Sequence, residues 1–155
     1  MGAHFSADEH FRRGESALAG GDPAAALEHF EISKRLEPAN ARYRSFYGLC
    51  LGLAERRFDK ALELCRSSAK EEFFNPILYL NLAHLHLSFG FKAEGIRFLR
   101  RGLMIDPHNV LILDEMQRLG LRRRPLIGFL RRSHMLNRWL GRGLGRGGSD
   151  PQPAS

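Results

Sequence analysis

Cysteine is scarce in this chain. Cys50 and Cys65 are the only two, and no Cys-x-x-Cys spacing occurs. A disulfide framework and a thiolate zinc site are therefore not expected, and both cysteines fall in apolar helical patterns where they read as small buried hydrophobes. Long apolar runs are also missing: none approaches the roughly 18 residues a membrane span needs. Met1 to His10 lacks the apolar stretch of a secretory signal, so cytoplasmic residence is expected. Clustered catalytic residues are absent too. His84 and His86 lie two apart on different helix faces and cannot share a metal, while His4, His10, His29, His108 and His134 are scattered. Glu71 and Glu72 read as a solvated helix end. No glycine loop follows a strand, because no strand pattern is found. No enzymatic activity, cofactor or metal is expected.

The charge is unevenly placed. The net charge is +7. Residues 1–120 hold 16 Lys plus Arg and 16 Asp plus Glu, whereas residues 121–155 hold 8 arginines against Asp150 alone. A neutral body thus carries a basic C-terminal segment, which suits an acidic partner.

The body is periodic. Gly14, Ala26, Phe30 and Pro38 follow one another at spacings of 12, 4 and 8, and Ala83, Gly95, Leu99 and Pro107 repeat those three spacings. Between them, Gly48, Ala61 and Cys65 follow at 13 and 4. Gly14 to Gly48 is 34 residues and Gly48 to Ala83 is 35. Small residues at such a period mark helix pairs that approach closely, at Gly14 with Ala26, Gly48 with Ala61, and Ala83 with Gly95. Phe30 and Leu99 then fill the space alongside.

Local signals divide the chain in the same way. Ser6-Ala-Asp-Glu9 is a capping box, Gly20-Gly21 ends the helix it opens, and Asp22-Pro23 starts the next. Helices are expected at about 7–19, 23–36, 41–55, 58–71, 76–89, 92–105 and 109–120. Phe73-Phe74-Asn75-Pro76 replaces the proline expected after the second pair, and the spacing predicts a second helix or turn about two residues longer there. Met1-Gly2-Ala-His-Phe-Ser6 fits the myristoylation pattern, but Ser6 has a structural use as a cap, so lipidation of Gly2 is not the expectation.

Ala-x3-Phe followed by Pro, with Gly twelve residues before the Ala, resembles the tetratricopeptide repeat over residues 7–109. His10, Arg13 and Ala17 stand where that family prefers Trp, Leu and Tyr, whereas Tyr79 and Leu82 supply the bulk in repeat three. The resemblance implies an all-α, right-handed α-α superhelix of three helix-turn-helix repeats plus a capping helix. The division is a leader at 1–6 and a domain at 7–121. The domain comprises repeats at about 7–40, 41–75 and 76–109 and a capping helix at 110–121. In that last helix Val110, Leu111, Leu113, Met116 and Leu119 would face the stack, and Asp114, Glu115 and Arg118 would face water.

The family geometry implies a concave wall made by the first helix of each pair. Its inner positions would be Phe11 and Glu15, then Arg42, Ser45, Leu49 and Leu53, then Leu80, Asn81, His84 and Leu87. Some members grip chaperone C-termini through a Lys, Asn and Arg clamp. The matching positions here hold Phe11, Glu15, Phe46, Ile77 and Asn81, so no such acidic tail is expected. The wall suits an amphipathic helix or an extended apolar segment, though helical spacing alone does not separate its leucines from core.

Beyond the body, Arg122, Arg123, Arg124, Arg131, Arg132, Arg138 and Arg142 alternate with Leu126, Phe129, Leu136 and Trp139. Three readings stand open. The segment at 122–142 packs on the body, lies on an anionic membrane, or binds nucleic acid with its aromatics stacked on bases. Residues 143–155 read as a disordered tail. The function expected from all this is a protein–protein scaffold or adaptor that holds a protein or peptide segment in the groove. The alternative is a nucleic-acid or anionic-membrane tether through the arginines.

Overall fold

The structure, a computed structural model, describes residues 4–121. It is built of helices α1 (Ala7–Ala19), α2 (Pro23–Leu36), α3 (Ala41–Glu55), α4 (Phe58–Glu71), α5 (Pro76–Ser88), α6 (Lys92–Ile105) and α7 (Val110–Arg118), with no strand among the described residues. Each helix packs on its successor in the chain, and α3 also packs directly on α5. The result is the expected all-α solenoid of helix pairs.

Polar side chains at the helix starts set the period. Ser6 accepts from the Glu9 amide at 3.2 Å while the Glu9 carboxylate accepts from the Ser6 amide at 2.7 Å, closing the capping box. Asn40, Asn75 and Asn109 open α3, α5 and α7 by accepting from the amides of Tyr43, Ile77 and Ile112 at 3.3, 3.1 and 3.2 Å. These four caps stand 34, 35 and 34 residues apart. Each satisfies an amide that the first helical turn leaves without a partner.

The turn between repeats is one motif used three times. The Asn40 amide group donates to the Glu37 carboxylate (3.4 Å), Asn75 to Glu72 (3.0 Å) and Asn109 to Asp106 (3.3 Å). In each case the Asn backbone N–H also donates to the acid's carbonyl, at 3.1, 3.1 and 3.2 Å. An acid and an Asn three residues later therefore close the turn whether Pro38-Ala39, Phe73-Phe74 or Pro107-His108 lies between. This is why repeat two needs no proline.

The extra length of repeat two lies elsewhere than expected. Helix α4 has 14 residues, as do α2 and α6, so the second helix is not extended. Instead α3 has 15 residues where α1 and α5 have 13. It ends at Arg56, the only described non-glycine residue with positive φ (58°), where the other repeats place Gly21 (80°) and Gly90 (83°). Left-handed backbone costs a side-chain-bearing residue about 1 kcal/mol. Arg56 offsets this by donating both Nη atoms to the Ser88 carbonyl at 3.3 Å and lying 3.8 Å over the Phe89 ring. Arg56→Ala keeps the strain and loses those contacts. It should therefore be less stable than Arg56→Gly by about 1 kcal/mol in urea unfolding, and equal stabilities would refute this account.

Small residues let the helices close. A methyl group added at Gly48 would stand 2.8 Å from Leu64 Cβ and 3.2 Å from the Ala61 carbonyl, and one at Gly95 would stand 3.3 Å from the Ala83 carbonyl. At Gly14 the same imagined methyl would stand 2.5 Å from the Phe30 ring. The core has an aromatic part around Phe11, Phe30, Tyr43 and Phe46, and an aliphatic part around Leu49, Leu78, Leu82, Leu85, Leu99 and Ile112. Cys50 and Cys65 are buried free thiols, and burial pushes each up to about 12.

Helix α7 departs from its expected facing. Ile112 is its buried anchor and Met116 and Leu119 pack partly on the core, but Val110 and Leu111 are exposed. Both fall on the first turn, and Ile112 is the position that turns inward.

Candidate functional site

Of helices α1, α3 and α5, which were expected to line an inner wall, α3 and α5 pack directly on each other. Because α3 packs directly on α5, positions at that seam are closed. Ser45 and Asn81 are buried, with the Asn81 amide group donating to Ser45 Oγ at 3.1 Å. Leu49 and Leu80 are buried beside them, at 1% and 6% exposure. Phe11 is buried as well, stacked on Tyr43 at 4.8 Å and edge-on to Phe46 at 5.0 Å. Five of the ten expected wall residues thus belong to the core. Their spacing was that of an inner face, but neighbouring first helices cover that face at the seam.

The other five retain accessible surface. Arg42 is exposed, and Glu15, Leu53, His84 and Leu87 are half-buried. Two polar arrangements organise them. Arg42 pairs with Glu15 across α1 and α3 at 2.8 Å, and its guanidinium lies 4.5 Å over the Phe11 ring. An exposed pair contributes little stability, roughly 0–1 kcal/mol, so its effect is to hold a flat cation on the wall. Farther along, Glu115 of α7 turns inward, meeting His84 Nε2 at 3.4 Å and accepting from Arg118 at 3.2 Å. Glu115 was expected to face water. It is the period-mate of Phe46 and Asn81, 35 and 34 residues apart in turn, so carrying the repeat into α7 identifies it as inward-facing.

Two histidines respond to acid in the same sense. Burial, the largest cause, holds His84 below its ordinary value although Glu115 pulls the other way. Burial likewise lowers His10, with His29 and Arg13 adding to it and Glu9 opposing. His10 Nδ1 stands 3.3 Å from His29 Nδ1, a distance that suits one shared proton and not two. The unfolded chain therefore takes up these protons more readily. The histidine contribution is complete above the ordinary value of about 6.5 and is lost as pH falls below it through the folded values. Thermal melts of the chain should thus fall between pH 7 and pH 5. His10→Gln and His84→Gln should each flatten that slope, and an unchanged slope in both would contradict the assignment.

Among the described residues, no group of three or more His, Cys, Asp or Glu stands close enough to hold a metal ion, and no helix is long and apolar enough to cross a membrane. The basic segment with Arg122, Arg123, Arg124, Arg131, Arg132, Arg138 and Arg142, together with its suggested packing on the body, lies outside the described residues.

No protein-family profile and no curated protein matches the sequence. Solved structures do match in fold. One is YrrB, described as a TPR protein with an unusual peptide-binding site, at TM-score 0.57 and 17% identity over 74% of this chain. This chain spans only 59% of YrrB's length. The first TPR of Spaghetti (RPAP3), bound to the HSP90 peptide SRMEEVD, matches at TM-score 0.57 and 14% identity, covering 74% of this chain and 93% of that one. The Arabidopsis OM64 TPR domain matches at TM-score 0.57 and 21% identity, covering 74% and 94%. At these identities the likeness is one of fold.

Proposed function

We propose, from the tetratricopeptide-repeat fold of this chain as premise, that it is a protein-interaction scaffold holding a partner segment along the inner wall of its first helices. A scaffold role in general agrees with its fold neighbours, some of which bind peptides. The observation that carries the narrower reading is the row Glu15, Arg42, Leu53, His84 and Leu87. It combines apolar Leu53 and Leu87 with polar Glu15, Arg42 and His84, all with accessible surface, while Ser45, Asn81 and the neighbouring leucines are buried. The partner class that fits is a short amphipathic segment, with apolar residues against Leu53 and Leu87 and polar ones against the two ion-pair clusters. The mechanism is display. A wall that does not reorganise on binding lowers the ordering cost of association. An acidic chaperone tail is a poor candidate, because the clamp positions hold Phe11, Glu15, Phe46, Ile77 and Asn81, with Phe11, Phe46 and Asn81 buried. The free thiols of Cys50 and Cys65 suit the reducing cytoplasm in which we place it.

Site-specific photo-crosslinking in cells tests the wall. A photoreactive residue at Arg42 or Leu87 should trap one discrete partner, and the same residue at exposed Arg66 on α4 should not. Leu53→Glu should abolish the Arg42 adduct. Equal adducts from position 66, or none from either wall position, would defeat the reading.

A further inference from the structure

A second recess lies away from the inner wall. It is a cleft of about 420 Å³ lined by Glu31, Lys34, Arg35, Pro38, Arg44 and Leu64. Helices α2 and α4 flank it without close packing, and α3 lies beneath. Its charges are partly spent. Arg44 is pinned by an ion pair with Glu71 of α4 and by donation from Nη1 to the Pro38 carbonyl at 3.3 Å. Holding it so leaves its buried Nε with no hydrogen-bond partner. Lys34 lies 4.1 Å over the Tyr47 ring, and neither Lys34 nor Arg35 is ion-paired among the described residues.

From this arrangement we infer that the outer cleft is a binding site for a peptide carrying one carboxylate beside an apolar side chain. The argument is one of charge and size. Arg44 and Glu71 cancel, and Glu31 offsets one of Lys34 and Arg35, leaving a single uncompensated positive charge. One carboxylate matches it, whereas a phosphate dianion would be left half unmatched. Leu64 and Pro38 give the neighbouring apolar side chain an apolar surface to rest against. The volume falls in the range of real ligand pockets, about 300–1,000 Å³, and accommodates a few side chains. The site is separate from the inner wall, so a partner held on that wall is free to be contacted on the outside as well.

The test is titration of the full, isotope-labelled chain with capped Leu-Glu-Leu, with capped Leu-Gln-Leu, and with inorganic phosphate. The Glu peptide should bind at least tenfold more tightly than the Gln peptide. It should shift the Lys34, Arg35 and Arg44 signals and weaken as salt rises. Arg35→Glu, at an exposed position, should remove that preference, and Lys34→Glu should do the same. Equal binding of the two peptides, tighter binding of phosphate, or a preference unchanged in Arg35→Glu would overturn the assignment. Loss of inner-wall crosslinks alone would leave it standing, since none of these residues lies on that wall.

Discussion

Replacing Phe30 with alanine should lower the unfolding free energy by about 4 kcal/mol, the middle of the range for emptying a buried phenylalanine site. Phe30 is fully buried, tilted against Phe11 and Phe46 with both ring centroids at 5.3 Å. Its ring also occupies the space beside Gly14. The cavity would open among rings that cannot bend into it, so relaxation recovers little. In a chain of this size the melting temperature should fall by roughly 10–15 °C. The companion change Gly14→Ala should be destabilising alone, because its methyl strikes the ring. It should cost much less in a Phe30→Leu background, where the contact is gone. A double-mutant cycle measures that coupling, and strict additivity would show that ring and glycine do not meet.

Gly48→Ala is the second large effect, and its sign is the informative part. In an exposed helix this change stabilises by up to about 1 kcal/mol. Here the methyl would stand 2.8 Å from Leu64 Cβ and 3.2 Å from the Ala61 carbonyl. Neither is the far end of a flexible chain, so α3 and α4 must move apart. The expected outcome is a loss of about 2 kcal/mol in denaturant unfolding, in keeping with overpacked cores. A gain in stability would mean that the two helices are not held at that separation.

Most of the fold was legible because small residues recur at fixed distances and because the Ser6–Glu9 capping box and Asp22-Pro23 mark helix starts. Gly48 facing Ala61 and Gly95 facing Ala83 were readable from spacing alone. At Gly14 the nearest atoms are those of the Phe30 ring, and spacing registers that a neighbour is near but not whether a ring or a methyl fills the gap. The candidate wall was half legible. Periodicity put Phe11, Ser45, Leu49, Leu80 and Asn81 on an expected inner face, and all five are buried. It carried no information on how tightly α3 meets α5, and that contact decides burial. Glu115 is legible as inward-facing only when the repeat is carried into α7, past the last complete helix pair. The acid–Asn turn is masked in the sequence by proline, the stronger turn signal, which the turn at Phe73-Phe74 shows to be dispensable.

That turn has a consequence for how such a molecule grows. Since Glu37–Asn40, Glu72–Asn75 and Asp106–Asn109 are the same coupling, each joint presents the same plug and socket to whatever follows. A duplicated stretch running from one asparagine to the next would be spliced into the stack without any joint being redesigned. Length in this architecture is thus an adjustable property, changed by whole units, while the two residues between acid and asparagine stay free to drift.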